Sequence, residues 1–419
     1  MKKIIFFSLV CIASTATAQN KKPLDHTVYD NWKSISERLI SNDGKFVVYT
    51  VNPQEGDGEL VIQNPVTKYK KTIPRGYSVV ITDDSKYAIF KIKPFFQDTR
   101  QAKIKKKTGD DLPKDSLAII ELGQDSVLKI AKVKSFKTPE KAAGFMAYLL
   151  EKIEIASPKV KALPDSATQL KSMLQMADSL VKVADSIRNK TKEAQTKGLA
   201  VLTPAKKETK PAAPKADAEK AEEGTELVLR NLANGTDKKF KLVTEYYFSK
   251  KANTLVVETS GKNNDSITKA TVLWIDLATG KTDTILKKFN DAKNYVLDEE
   301  GSQLAFVAER DSVAKALTKF YKLYYYKRGT DTAAIIAEKN TVGMKVGTTI
   351  SENANLNFSK DGKKLFFGIA SIKAPKDTTL VDFELARLDV WHYNDDYLQP
   401  QQLKQLDQEL KRSYTAVII

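Results

Sequence analysis

Apolar residues along this chain come mostly in short runs, each introduced by a polar turn. Ser41-Asn42-Asp43-Gly44-Lys45 leads into Phe46-Val47-Val48-Tyr49, and Thr82-Asp83-Asp84-Ser85-Lys86 leads into Tyr87-Ala88-Ile89-Phe90. Asp298-Glu299-Glu300-Gly301-Ser302 precedes Gln303-Leu304-Ala305-Phe306-Val307, and Ser359-Lys360-Asp361-Gly362-Lys363 precedes Leu365-Phe366-Phe367. Asp-Gly and its variants supply the positive φ of a tight turn, and aromatic or β-branched runs suit buried strands. Weaker copies stand at Ala143-Gly144 before Phe145-Met146-Ala147-Tyr148, and at Ser249-Lys250-Lys251 before Leu255-Val256-Val257.

A second signature follows each of these, a strand, a polar turn and another strand. Glu59–Asn64 turns at Pro65–Thr67, and Leu117–Leu122 at Gly123–Asp125. Glu226–Asn231 turns at Asn234-Gly235, Val272–Leu277 at Thr279-Gly280, and Leu323–Tyr326 at Gly329-Thr330. Each is a hairpin signal. The interval from Asp43 to Asp84 is 41 residues, which suits one blade of four strands. Asp298 to Asp361 is 63 residues, as a loop insertion would make it. The fold class read from this is all-β, a partial β-propeller of about six four-stranded blade-like units with one helical and disordered insertion.

Two stretches break the pattern. Leu24, Val28, Trp32, Ile35 and Leu39 recur at three- and four-residue spacing, so 24–40 reads as a helical lead-in. Leu170, Met173, Leu174, Ala177, Leu180, Val181, Ala184 and Ile187 have a helical period, and 165–196 reads as one amphipathic helix packed on the outside of the propeller. The Pro/Ala/Lys/Glu-rich stretch after it, with Lys210-Pro211-Ala212-Ala213-Pro214-Lys215, has little to bury and reads as disordered. The organisation is therefore 1–18 leader, 19–152 first blades with the lead-in, 153–224 insertion and 225–419 further blades. A helix-like stretch runs to Arg412, and the last five residues read as the start of a strand, so the chain reads as cut short within a blade.

Composition adds export. Lys2 and Lys3, the apolar run Ile4–Ile12 and Ala16-Thr17-Ala18 have the layout of a secretory signal cleaved before Gln19. A lipoprotein signal at Cys11 is the rival, although Val10 stands where a small residue belongs. The expected location is exported, periplasmic or secreted. Cys11 is the single cysteine, so the processed chain would have neither disulfide nor thiolate metal site. No stretch reaches the roughly 20 apolar residues of a transmembrane helix. The net charge is +16, and losing Lys2 and Lys3 leaves 16 − 2 = +14. The lysines are scattered, and the sharpest cluster, Lys103, Lys105, Lys106 and Lys107, reads as an exposed hairpin or loop tip. Nucleic acid is not an expected partner.

Catalytic chemistry is not legible. His26 and His392 are the two histidines, each beside aromatic residues and acids, which suits packing with a hydrogen bond. Gly76-Tyr77-Ser78-Val79-Val80 approaches the Gly-x-Ser-x-Gly elbow, but Val80 replaces its second glycine. Gly280-Lys281-Thr282 resembles the end of a phosphate loop, yet Ile275 replaces its first glycine, so it reads as a hairpin turn. No catalytic residue, metal ligand or cofactor site is assigned, and substrate-binding residues stay open.

The turn phrases, the leader and two longer stretches, Asp25–Trp32 with Ile40–Lys45 and Leu388–Asp395 running on to Gln401, resemble one family. They look like the N-terminal propeller region of exported bacterial prolyl oligopeptidase-type serine peptidases, over 24–152 and 225–419. The resemblance implies a propeller that caps an α/β-hydrolase domain and restricts entry to short or unfolded peptides. The family's nucleophile elbow, acid and histidine have no counterpart in these residues, so none is carried over, and the chain alone is expected to be inactive. The implied partners are a hydrolase domain and peptide substrates. The alternatives are a self-sufficient periplasmic propeller acting as a TolB-like binding scaffold, and an intact enzyme of unfamiliar chemistry.

Overall fold

The structure, a computed structural model, describes residues 26–152, 223–262, 265, 267–313, 316–375, 379 and 390–419. Two units divide the chain, Met1–Lys152 with Glu222–Ile419, and Ile153–Ala221. The leader, the helix expected at 165–196 and the Pro/Ala/Lys/Glu-rich stretch lie outside the described residues.

The first blade holds β1 (Ser34–Ile40), β2 (Val47–Asn52), β3 (Glu59–Asn64) and β4 (Tyr69–Pro74), paired in that order. The second holds β5 (Gly76–Ile81), β6 (Tyr87–Ile92), β7 (Ser116–Glu121) and β8 (Val127–Ala131). The third begins with β9 (Val133–Lys137), β10 (Phe145–Leu150) and β11 (Thr225–Asn231). The long strand β12 (Asp237–Phe248) then serves two blades. Its first part pairs with β11, and its second part pairs with β13 (Thr254–Thr259), which continues to β14 (Thr271–Asp276) and β15 (Thr282–Lys287). The third and fourth blades are thus one seven-stranded sheet. The fifth is β16 (Asp291–Leu297), β17 (Gln303–Glu309), β18 (Lys322–Lys327) and β19 (Ala334–Ala337). In the last, β20 (Thr348–Ile350) and β21 (Asn357–Phe358) pair with β22 (Leu365–Ser371), which also pairs with β23 (Tyr414–Ile418). The fold is an all-β partial propeller of six blade-like units, and strand pairing does not close it into a ring among the described residues. The sixth blade departs from four strands abreast, because β20 and β21 share one edge of β22.

Hydrophobic burial dictates this arrangement. Each buried cluster lies between consecutive blades. Val48, Leu60 and Ile62 meet Ala88 and Phe90, while Ile89, between those two in sequence, turns the other way onto Met146 and Tyr148. Likewise Leu304, Phe306 and Ala308 face Trp274 of the fourth blade, and Ala305 and Val307 face Ile350 and Phe367 of the sixth. A central strand buried on both faces reads as a continuous apolar run rather than an alternation. Fully burying a Phe, Ile or Leu side chain stabilises by about 1.5–3 kcal/mol, so the seams between blades are what hold the units together.

The recurring turns fold alike. Ser41 Oγ accepts the Phe46 N–H at 2.9 Å and donates to Asp43 Oδ1 at 2.6 Å. Thr82 Oγ1 does the same with the Tyr87 N–H at 3.0 Å and Asp84 Oδ1 at 2.6 Å. In the fifth blade the Asp298 carboxylate replaces the hydroxyl and accepts from the Ser302 and Gln303 N–H groups. Neighbouring turns are laced together. Asn42 Nδ2 donates to the Asp83 carbonyl at 2.9 Å, and Thr254 Oγ1 to the Gly301 carbonyl at 2.9 Å. Glu299 of the fifth blade receives Lys141 of the third at 2.5 Å and Lys250 of the fourth at 2.9 Å, which holds its carboxyl down at about 2.

Antiparallel order puts all these tight turns at one end of the blades and the long connections at the other. The connections at 93–115, 260–270 and 310–321 leave from that second end, where β10 also ends at Leu150 and β22 at Ser371, and helices Phe96–Ile104 and Gln399–Leu410 lie between strands there. The lysine cluster at 103–107 is exposed, as read, but it sits at the end of a helix and not on a hairpin.

The helical lead-in is corrected. His26–Asn31 is a 3-10 turn, and Ser34–Ile40 is the strand β1, with Trp32 and Ile35 exposed. The helical spacing joined apolar residues of both faces, since Ile35 is exposed, whereas the inward-leaning residues of β1 are Ser36 and Leu39, set three apart by a bulge.

Candidate functional site on the inner strands

In a propeller the first strand of each blade lines the axis. Here those strands are β1, β5, β9, the second part of β12, β16 and β20 with β21. They share a device. One extra residue bulges out of β1, β5 and β16 against the adjacent strand, and Glu37, Ser78 and Asn294 take positive φ there (49°, 52° and 57°). Between β20 and β21 the gap widens to Ser351–Leu356. Bulges bend the strand and free backbone groups for other partners. Glu37 Oε2 accepts the Val79 N–H of the next blade at 3.4 Å, and Asn294 Nδ2 donates to the Glu352 and Ala354 carbonyls, each at 2.9 Å.

Around these bulges stands a row of titratable groups. In the second blade the Tyr77 hydroxyl donates to Asp115 Oδ2, which also receives Lys91 Nζ at 3.2 Å. Burial, then the hydrogen bond to Asp115, holds the Tyr77 phenol well above the usual tyrosine range. Lys137 of β9 donates to the Tyr246 carbonyl at 2.7 Å and lies over the Tyr247 ring at 4.2 Å. Burial lowers its ammonium pKa despite Glu245 at 4.0 Å.

Glu258 on β13 is the most perturbed carboxyl of the row, pushed up to about 7 chiefly by burial, with Asp291 and Glu245 adding repulsion. Thr244 Oγ1 donates to its Oε1 at 3.1 Å. The Tyr295 hydroxyl is its other neighbour, although neither Glu258 Oε2 nor the Tyr295 oxygen completes a hydrogen bond of ordinary geometry. Tyr295 is stacked between Tyr247 at 5.2 Å and Phe306 at 5.1 Å. In the fifth and sixth blades Lys293 Nζ bridges Asp291 Oδ2 at 3.0 Å and Glu352 Oε2 at 2.6 Å. Burial opposes its charge, but the two carboxylates prevail and raise its pKa. Tyr321 donates to Asp291 Oδ2 at 2.5 Å, and burial with that carboxylate lifts its phenol far above the ordinary range.

Chemically, this is a band of paired donors and acceptors with one neutral-range carboxyl and several phenols that stay protonated. It offers hydrogen bonds to a polar chain. Among the described residues no group of His, Cys, Asp and Glu has metal-ligating geometry.

The residues weighed in the sequence lie elsewhere or in other roles. His26 opens the 3-10 turn, exposed. His392 is exposed in a turn, its N–H donating to Asp395 Oδ2 at 2.9 Å and its Nδ1 accepting the Asn394 N–H at 3.2 Å. Ser78 is the bulge residue of β5, not the tip of a strand-to-helix elbow. Gly280 makes the turn between β14 and β15 at φ 72°. The inner-strand row itself escaped sequence reasoning. Its members lie far apart in the chain, and the signal for it was the break in strand period at each bulge.

No protein-family model matches the chain, and no curated protein matches it in sequence. Solved structures with a similar chain path include the β-propeller domain of the trilobed protease from Pyrococcus furiosus, described as having an open velcro topology. That likeness covers 82% of this chain and 79% of that one, at 11% identity and a TM-score of 0.35. Acylaminoacyl peptidase from Pyrococcus horikoshii is similar over 83% of this chain, at 9% identity and a TM-score of 0.36. The chain spans 44% of the length of that peptidase. A eukaryotic initiation factor is similar over 85% of this chain and 74% of its own, at 11% identity and a TM-score of 0.39. Likeness at this level carries neither activity nor partner across.

Proposed function

We propose that this chain is the propeller part of an exported prolyl oligopeptidase-like serine peptidase, non-catalytic in itself, which caps a hydrolase domain and gates the entry of peptides to it. The observation that carries this reading is the division of labour between the two ends of the blades. Tight turns, laced to one another, occupy one end. The long connections among the described residues leave from the other. Between them the bulged inner strands carry hydrogen-bonding side chains such as Tyr77, Lys137 and Lys293, the chemistry needed to pass an extended peptide. The two family-like sequence stretches around Trp32 and Trp391 support the same reading.

The non-catalytic part is tested by incubating the purified chain with a proline-containing chromogenic peptide. No hydrolysis above buffer is expected. Hydrolysis that a serine-directed inhibitor abolishes would contradict it.

A further inference from the structure

The geometry points to a second site, a pocket for a carboxylate on an apolar body, between the fifth and sixth blades at the end that carries the long connections. A cavity of about 320 Å³ opens there, at the lower end of the roughly 300–1,000 Å³ usual for small-molecule sites. Its floor is buried and belongs to the seam itself, with Tyr321, Ile350 and Ser351. Phe320 and Leu410 give apolar walls.

Charge sets the ligand class. Lys319, Lys373 and Arg412 line the cavity, and Glu352 is the single acid among its lining residues. Glu352 is already committed, because its Oε2 holds Lys293 at 2.6 Å. Lys373 donates to the Leu410 carbonyl at the end of helix Gln399–Leu410, which fixes that helix end over the cavity. Arg412 touches Glu409 at 3.3 Å, but both side chains are more than half exposed, so that pair is weak. Three cations against one committed acid leave the lining with a surplus of positive charge, and its surface is otherwise mixed, with Phe320, Ile350 and Leu410 as its apolar part. A carboxylate fits the first, and an aliphatic or aromatic body fits the second. A peptide C-terminus and a free acyl amino acid share this chemistry. The inference is independent of the peptidase reading, since it concerns binding to this chain alone.

The test is calorimetric titration of the whole chain with trileucine, with trileucine C-terminal amide and with N-acetyl-leucine. Trileucine is expected to bind, with the amide weaker by about tenfold or more, the worth of one charge-assisted contact. Lys319→Ala and Arg412→Ala should each weaken trileucine by a similar factor, and Lys319→Arg should restore it. Lys360→Ala, on an exposed turn, should change nothing. N-acetyl-leucine binding as well as trileucine would name a free acid as the ligand, and weaker binding would name a peptide end. Equal affinity for acid and amide, unchanged affinity in both alanine variants at unchanged unfolding temperature, or no binding of any of the three would overturn the site.

Discussion

Asn294, at the bulge of β16, donates from Nδ2 to the Glu352 carbonyl at 2.9 Å across the seam between the fifth and sixth blades. The same amide reaches the Ala354 carbonyl, also at 2.9 Å. One side chain thus satisfies two backbone carbonyls in a gap where β20 and β21 are not continuous. Asparagine suits the position twice, because it tolerates the left-handed backbone found there (φ 57°). Asn294→Ala should destabilise by about 2–4 kcal/mol, from two lost hydrogen bonds and added backbone strain. Asn294→Gly removes the bonds but relieves the backbone, so it should cost about 1 kcal/mol less. Denaturant unfolding of both variants measures the difference.

Glu258 makes stability depend on pH. Its ordinary value is 4.5, and burial raises it to about 7 in the folded chain. Between those values the folded chain holds the proton and the unfolded chain releases it, so stability falls as pH rises. Below 4.5 the stabilisation is fully present, and above about 7 it is lost, an upper limit of about 3 kcal/mol. The groups facing it are Thr244, Glu245, Tyr247, Asp291 and Tyr295. Glu258→Gln should leave stability at pH 5 nearly unchanged and raise it at pH 8.5. Unfolding curves at the two values check this, and an equal change at both would dissociate Glu258 from the effect.

Two turn glycines separate backbone strain from crowding. Gly280 and Gly301 both have positive φ (72° and 67°). A Cβ on Gly280 would meet nothing within 4 Å, whereas one on Gly301 would come within 2.5 Å of Ser249 Cβ. Gly280→Ala should cost about 1–2 kcal/mol from the left-handed backbone alone. Gly301→Ala should cost more by about 1–3 kcal/mol, because the turns of the fourth and fifth blades must part. Thermal unfolding ranks the pair.

The opening residue of each turn matters according to its burial. Ser41 is 3% exposed, and its hydroxyl holds the Phe46 N–H. Ser359 makes the same bonds in a more exposed turn, with the Lys364 N–H at 2.9 Å. Ser41→Ala should cost about 1–3 kcal/mol and Ser359→Ala less, because water replaces the lost partner only at Ser359.

These turns explain why the blades were legible. A hydroxyl or carboxylate, a residue of positive φ and a following apolar run are local chemistry, and they recur in sequence order. The links between blades are not. Arg75, Lys132, Leu242 and Lys288 each cross from one blade to the next at a φ near 60°. The carbonyls of Arg75, Lys132 and Leu242 each accept an N–H from just past the second strand of the next blade, those of Lys93, Glu151 and Ser260. None is a glycine, so no residue type marks the crossing. Around β1 the apparent helical period linked Trp32 and Ile35, which are exposed, with Leu39, which leans inward, so spacing alone could not tell the strand from a helix. β12 passes through Leu242 from the third blade to the fourth without a break in strand. The inner-strand row was illegible for a different reason. Lys137, Glu258 and Lys293 join one row through Glu245 and Asp291 only because the third, fourth and fifth blades pack side by side, and nothing local to each residue says so.

The central claim is that these residues gate a serine peptidase. Its most direct test is the native protein, detected in cells carrying the gene with an antibody against this chain and probed with a fluorophosphonate that labels active serines. The account predicts a labelled product markedly heavier than 419 residues. An unlabelled product no heavier than this chain would contradict it, and would favour a propeller that works as a binding scaffold by itself.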